Sequence, residues 1–200
     1  MLKAPYLIYL HGFLSSPQSE KAQQTATFWD QQGLSDAYTF PMMSGGPAET
    51  IAELCVLIDQ LQDKNIVLMG SSLGGYYATY LAERFGLPAV LINPAVKPYE
   101  LWEKHIGEHK NYYTDAIHTV THEHIDELLE IDVESPSRLD DFLVLVQTGD
   151  ETLDYRQAVE KFSPSRCWVR EGGNHSFENY QAELPQILEY LLSRIDANVR

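Results

Sequence analysis

Three things are scarce in this sequence: cysteine, positive charge and long apolar runs. Only two cysteines occur, Cys55 and Cys167, and they form neither a C-x-x-C pair nor a metal-binding spacing. A disulfide framework and a cysteine-bound metal are therefore not expected. Both thiols are interpreted as small core residues of a reduced, cytoplasmic protein.

Positive charge is the second scarce feature, with 14 Lys and Arg against 29 Asp and Glu and a net charge of -15. A chain of this charge repels polyanions and offers no surface that neutralises phosphates, so nucleic-acid binding is not expected. The apolar run near the start, "YLIYL", is too short for a secretory leader or a membrane span. We predict that it forms the first strand.

The rest of the chain alternates strand-length apolar runs with longer amphipathic segments. Its 200 residues have the size of one domain. We predict a single α/β domain over residues 1–200, with about six mainly parallel strands and helices on both faces. The predicted strands are residues 6–10, 38–40, 65–70, 89–93, 142–147 and 167–171. The predicted helices are residues 18–32, 47–62, 73–85, 154–162 and 178–195.

Residues 94–140 interrupt this alternation, because about 45 residues between two strands exceed what one crossover helix needs. We interpret them as a helical, lid-like insertion over one rim of the sheet, since "ELWEKHIGEH" and "HIDELLEID" have helical character. Its aromatic and apolar residues either line an acyl pocket or pack against the sheet. These residues are Tyr99, Leu101, Trp102, Ile106, Tyr112 and Tyr113.

The stretch "VLMGSSLGGYY" contains G-x-S-x-G with Ser72 at its centre, directly after a predicted strand and before a predicted helix. That context is the one in which this motif carries a nucleophilic serine on a sharp turn. The neighbouring Ser71 does not fit, because Met69 stands where its first glycine is needed. Gly70 and Gly74 are explained by the close crossing of strand and helix, which leaves no room for a side chain.

A serine hydroxyl needs a general base, and this fold type supplies the partners in the order Ser, acid, His. Asp150 follows the fifth predicted strand, and His175 lies after the sixth, in the loop "GGNH". The carboxyl ends of parallel strands share one edge of the sheet, so we predict that Asp150 orients His175 over Ser72. Glu151 and Asp154 compete for the role of Asp150, although Asp154 is better explained as a helix cap.

Two backbone N–H groups are needed to stabilise the oxyanion of an acyl-transfer intermediate. One is expected from Leu73, the residue after the nucleophile, and the other from Phe13, after the turn at Gly12 that ends the first strand. His11 is interpreted as a packing or hydrogen-bonding residue beneath the site rather than a catalytic one.

The segments "YLHGFLSSP", "GSSLGGYYA", "INPAVKPYE", "QTGDETLDY" and "GGNHSF" together resemble the small bacterial YqiA-type esterases of the α/β-hydrolase superfamily. The resemblance spans nearly the whole chain. It implies an α/β-hydrolase fold without the first two strands of larger members, and an esterase or thioesterase activity. It also implies a Ser72, Asp150 and His175 triad that uses no cofactor.

The charge and the insertion together indicate small-molecule substrates, namely uncharged or weakly charged acyl esters of short to medium length, with thioesters second. Two alternatives stay open. One is a catalytically silent small-molecule-binding protein on the same fold. The other is a zinc hydrolase, because His122-x-His124-x-Asp126 imitates part of a metallo-β-lactamase motif and His105 and His109 could share a helix face. The oligomeric state is left open.

Overall fold

Six parallel strands form the central sheet of the computed structural model, which describes residues 4–198. The start of the chain, at which a secretory leader was considered, includes residues 1–3, which lie outside that range. The described strands are β1 (Pro5–Leu10), β2 (Tyr38–Thr39), β3 (Asn65–Ser71), β4 (Ala89–Ile92), β5 (Gly107–Lys110), β6 (Ile117–Val120), β7 (Phe142–Gln147) and β8 (Arg166–Arg170). The sheet order is β2-β1-β3-β4-β7-β8.

The helices are α1 (Glu20–Gln31), α2 (Pro47–Gln60), α3 (Leu73–Phe85), α4 (Pro98–Trp102), α5 (His122–Glu130), α6 (Tyr155–Lys161) and α7 (Tyr180–Asn198). Pro47 occupies the first position of α2, where its missing N–H costs nothing. Gly86 ends α3 in the left-handed conformation with φ 67°. No helix in residues 4–198 combines the length and the apolar character that a membrane crossing requires.

Because successive side chains of a strand point to opposite faces of the sheet, the core has two layers. Along β1, Leu7 and Tyr9 pack with α1 and α7, whereas Ile8 and Leu10 pack with α2, α3 and α6 on the opposite face. Burying one such side chain contributes about 1.5–3 kcal/mol, and both faces are needed because a parallel sheet is covered on each side. All six predicted strands, the five predicted helices and the α/β fold class are confirmed.

The insertion differs from the prediction. Its first helix-like segment, "ELWEKHIGEH", is helical only near its start, and Gly107–Lys110 instead forms β5, which pairs antiparallel with β6. Gly107 has φ 123°, a conformation that glycine adopts without strain and that helices do not use. The second segment is confirmed as α5. The insertion is therefore a mixed α/β segment, and its purely helical description was wrong.

Candidate active site

Ser72 lies on a strained turn between β3 and α3. Its φ of 55° and ψ of -120° are unusual for a residue with a side chain, and such strain persists only where neighbours hold it. The Ser72 N–H donates to the Ile92 carbonyl (3.1 Å), and the Ser72 carbonyl accepts from the N–H of Gly75 (2.9 Å) and Ala95 (3.0 Å). These bonds fix the turn to the edge of the sheet.

The glycines of the motif are needed for close approach. A Cβ on Gly70 would collide with the Gly74 carbonyl, and a Cβ on Gly74 would collide with the Leu10 carbonyl of β1. A side chain at either position would push the backbone of α3 away from the sheet and take Ser72 with it. The steric reason predicted for the two glycines thus has a direct counterpart in the packing.

The structure brings Ser72, His175 and Asp150 into one hydrogen-bonded chain. His175 Nε2 lies 3.0 Å from Ser72 Oγ. His175 Nδ1 lies 2.8 Å from Asp150 Oδ2 and 3.0 Å from Oδ1. These residues come from the loops after β3, β7 and β8, so they meet because parallel strands end at the same edge.

Hydrogen bonds keep the Asp150 carboxylate ionised. Its side chain is only 2% exposed, and burial alone would raise its pKa. Hydrogen bonds from His175 and from the Leu153 and Thr152 N–H groups outweigh burial and hold the pKa of Asp150 below its ordinary value. An ionised carboxylate at this place favours the histidine tautomer that carries its proton on Nδ1.

The two competing acids have other contacts. Asp154 accepts a hydrogen bond from the Arg156 N–H (3.0 Å) and caps α6, as predicted. Glu151 Oε2 accepts from the His175 backbone N–H (3.0 Å), so it contacts the histidine loop but not the imidazole. Asp150 is the carboxylate that reaches the ring.

Asn93 and Gln147 hold the histidine loop in place, and the sequence analysis missed both. The Asn93 amide donates to the carbonyls of Asn174 (3.0 Å) and His175 (3.1 Å), while its Oδ1 accepts from the Gln147 N–H (3.0 Å). The Gln147 Oε1 accepts from the N–H groups of Asn174 (3.1 Å) and Glu178 (2.8 Å). Both are buried polar residues at the ends of apolar strand runs, and that placement was the available signal.

Phe13 and Leu73 border the nucleophile and have free N–H groups. Among residues 4–198, neither N–H donates to another protein group. A Cβ placed on Gly12 would lie 3.2 Å from the Ser72 Cβ, which shows how closely the turn after β1 approaches the nucleophile. The oxyanion role predicted for these two N–H groups stays a prediction.

His11 supports this turn from beneath. Its Nδ1 lies 2.9 Å from the Gly12 carbonyl, and its Nε2 accepts from the Met43 N–H (3.2 Å). This pattern corresponds to a neutral ring with the proton on Nδ1, and burial lowers the pKa of His11 in agreement. The predicted hydrogen-bonding role of His11 matches these contacts.

Two cavities meet at the site. The large cavity, about 1010 Å³, is lined by Ser72, His175, Lys21, Tyr112 and Tyr113 among others. The small cavity, about 290 Å³, is lined mainly by apolar residues that include Leu73, Met43, Tyr77, Trp102 and Ile117. Gly12 and Phe13 line both cavities.

The predicted pocket residues divide between these places. Trp102 is buried, lines the small cavity and stacks on Phe13 with ring centroids 4.9 Å apart. Tyr99 lines neither cavity in the described part of the chain, and its hydroxyl donates to Asp132 (3.2 Å). Leu101 and Ile106 are exposed and line neither cavity. The pocket interpretation thus fits Trp102 geometrically but not Tyr99.

The histidines of the zinc alternative lie in the insertion. His122 and His124 are two positions apart on α5, which directs them to different sides of the helix. His105 and His109 share no helix, because a 3₁₀ turn ends at His105 and His109 belongs to β5. Within residues 4–198, no group of three His, Cys, Asp or Glu side chains is arranged to hold a metal.

Comparison with known proteins assigns the sequence to a family. The model of the uncharacterised protein family UPF0227 matches residues 6–192. A member named YcfP from Salmonella arizonae is 27% identical over 188 residues, which cover 90% of this chain and 96% of that protein. The motif resemblance is thereby confirmed at the level of the family.

Solved structures show the same fold. Est1E from Butyrivibrio proteoclasticus aligns over 100% of this chain and 90% of its own, with a TM-score of 0.69 and 14% identity. A monoacylglycerol lipase from Paleococcus ferrophilus aligns over 96% of each chain, with a TM-score of 0.66 and 14% identity. At such identity the likeness concerns the fold. The chain therefore belongs to the family UPF0227 and has an α/β-hydrolase fold.

Proposed function

We propose that this protein is a serine hydrolase that cleaves acyl esters of short to medium length, and thioesters second, through an acyl-enzyme on Ser72. The observation that carries the proposal is the chain from Ser72 Oγ to His175 Nε2 (3.0 Å) and from His175 Nδ1 to Asp150 (2.8 Å). A nucleophile, a base and an orienting acid in this geometry are what acyl transfer requires.

In the first half of the proposed reaction, His175 Nε2 takes the Ser72 proton while Oγ attacks the carbonyl carbon. The resulting oxyanion accepts hydrogen bonds from the N–H groups of Phe13 and Leu73. His175 then gives its proton to the leaving oxygen, and the alcohol departs. In the second half, His175 takes a proton from water, and the hydroxide formed attacks the acyl carbon. The bond from that carbon to Ser72 Oγ then breaks, His175 returns its proton to Oγ, and the acid is released.

The two cavities support a division of the substrate between them. The scissile carbonyl would lie near Phe13, where the cavities meet. The small cavity is enclosed by apolar side chains, so we assign the acyl chain to it and the leaving group to the large cavity. At about 290 Å³ the small cavity is at the lower end of ligand-pocket volumes, which favours short to medium acyl chains over long ones.

Residues 94–140 belong to the same proposal as a lid-like insertion of a single α/β-hydrolase domain. The Asn111 amide donates to the Ser15 carbonyl (2.8 Å), and the Tyr112 N–H donates to the Leu14 carbonyl (2.9 Å). The insertion is thus tied to the turn that supplies the Phe13 N–H. A small-molecule ester substrate and a cytoplasmic location complete the proposal, and esterases and lipases on this fold are consistent with it.

The test is covalent labelling by a fluorophosphonate probe together with hydrolysis of p-nitrophenyl butyrate. We expect stoichiometric labelling that Ser72→Ala abolishes and that Ser71→Ala leaves in place. Absence of both labelling and hydrolysis in the wild type would favour a binding protein on the same fold. Loss of hydrolysis on treatment with a chelator would instead favour the zinc alternative.

A further inference from the structure

Lys21 is a cation beside the proposed catalytic histidine. It lies in the first turn of α1 and is the only Lys or Arg among the described residues that line the large cavity. Its Nζ donates to the carbonyl of Ser176 (2.9 Å), the residue after His175. A positive charge is therefore held next to the loop that carries the histidine.

Two of the three N–H donors of the Lys21 ammonium group have no acceptor among residues 4–198. Lysine carries three N–H groups, and within residues 4–198 the Ser176 carbonyl is its single hydrogen-bond partner, while no carboxylate forms an ion pair with it. Lys21 is partly buried, which lowers its pKa to about 8 although the carboxylates of Glu20 and Asp150 act in the opposite direction, so the group is still mostly charged at neutral pH.

The acids that line the same cavity already have partners. Glu20 Oε1 accepts from the Gln24 amide (2.9 Å), and Glu178 Oε1 accepts from the Asn174 amide (3.0 Å). Lys21 is thus the single cation among the described residues of this lining, beside two carboxylates that each have one side-chain partner. The small cavity has no Lys, Arg, Asp or Glu among its described lining residues.

We propose that Lys21 is a specificity-determining residue that binds a carboxylate on the leaving-group side of the ester substrate. This inference rests on the proposed function and adds a substrate class to it. A net charge of -15 repels polyanions at long range, whereas a single local cation admits one carboxylate. The class indicated is therefore a monoanionic ester with an uncharged acyl chain.

The test uses a matched pair of substrates, 4-(butyryloxy)benzoate and its methyl ester, which differ in charge only on the leaving group. For the wild type and for each variant, kcat/KM for the carboxylate is divided by kcat/KM for the methyl ester. Comparing this ratio between variant and wild type cancels the difference in intrinsic reactivity between the two esters. We expect Lys21→Met to lower this ratio about 10-fold, and Lys21→Arg to keep most of it because the charge is retained. The methyl ester is the reference, because any loss caused by removing the hydrogen bond to Ser176 acts on both esters alike.

The matched control is Lys64→Met, which removes an exposed lysine at the opposite edge of the sheet, where it pairs with Asp63 (3.6 Å). It should leave the ratio unchanged. An unchanged ratio in Lys21→Met would overturn the inference, and equal losses for both esters would assign Lys21 to holding the loop instead. If the wild type hydrolyses neither ester and Ser72 is not labelled, the proposed function itself fails and the inference falls with it.

Discussion

In the central sheet, Leu7, Ile8 and Leu10 have no exposed surface, whereas in the insertion Tyr112 is 76% exposed and Ile117 is 57% exposed. The sheet is held by close packing on both faces. The insertion packs a few residues, such as Trp102, Ile125 and Leu128, into the core and is otherwise held by hydrogen bonds such as that of Asn111 with Ser15. Close packing on both faces restricts the backbone of the sheet, whereas the exposed part of the insertion has fewer packed neighbours.

The two regions therefore contribute differently to the site. The groups proposed for the chemistry all follow strands of the sheet, where a change in backbone position would misalign them. The insertion supplies walls of the two cavities and no member of the triad. Changes near the sheet should therefore act on kcat, and changes in the insertion should act on the choice of substrate.

The largest effect is expected at Ser72. Ser72→Ala removes the nucleophile and should lower kcat for p-nitrophenyl butyrate by about 10⁴ or more. Ser71→Ala is the matched control, because Ser71 is buried at the end of β3 and does not contact the His175 ring. Steady-state kinetics of both variants check this. Equal losses would contradict the assignment of the nucleophile.

The next effect is expected at Asp150. Asp150→Asn should lower kcat by about 10³ to 10⁴, because an amide in this place favours the imidazole tautomer with the proton on Nε2. Asp154→Asn is the control, and it should alter mainly the stability of α6, which Asp154 caps. Kinetics and thermal unfolding separate the two. The reverse ranking would mean that another carboxylate orients His175.

The sequence could predict the sheet and the triad because their signals are local. The glycines around Ser72, the strand before it and the loop of His175 each have a steric or chemical reason that can be read within about ten residues. The capping role of Asp154 could be predicted for the same reason. Parallel strands then bring distant loops to one edge without further information.

The roles of Asn93 and Gln147 could not be predicted from local signals. Asn93 contacts residues more than 80 positions away, so its role depends on the finished sheet and not on its neighbours in the chain. The hairpin of β5 and β6 was missed for a similar reason. Its strands are short and half exposed, and "ELWEKHIGEH" has residues compatible with a helix, so tertiary contacts decide its conformation.

A smaller effect is expected at Asn93. Asn93→Ala removes two donors to the histidine loop and leaves the Gln147 N–H without its acceptor, so kcat should fall about 10- to 100-fold while KM changes little. Stability should fall by about 1–3 kcal/mol, measured by denaturant unfolding. The control is Asn65→Ala. It removes one hydrogen bond, which the Asn65 side-chain amide donates to the Ala4 carbonyl (3.2 Å) at the other edge of the sheet. A kcat loss of the same size in that control would assign both effects to stability alone.

The smallest effect is expected at Trp102, and it tests whether the insertion contributes to the choice of acyl chain. Its ring lines the small cavity and stacks on Phe13, so a smaller side chain should lengthen the space available to an acyl chain. Because Trp→Ala in a core costs about 3–5 kcal/mol, Trp102→Phe is the better variant and keeps most of the packing. We expect up to a 10-fold shift in relative kcat/KM from p-nitrophenyl butyrate towards the octanoate, which is the size that a few methylenes supply. Tyr99→Phe, which removes only a hydroxyl outside both cavities, should leave this preference unchanged. Fluorophosphonate labelling of Ser72 should persist in both variants, and an unchanged preference in Trp102→Phe would move the acyl chain out of the small cavity.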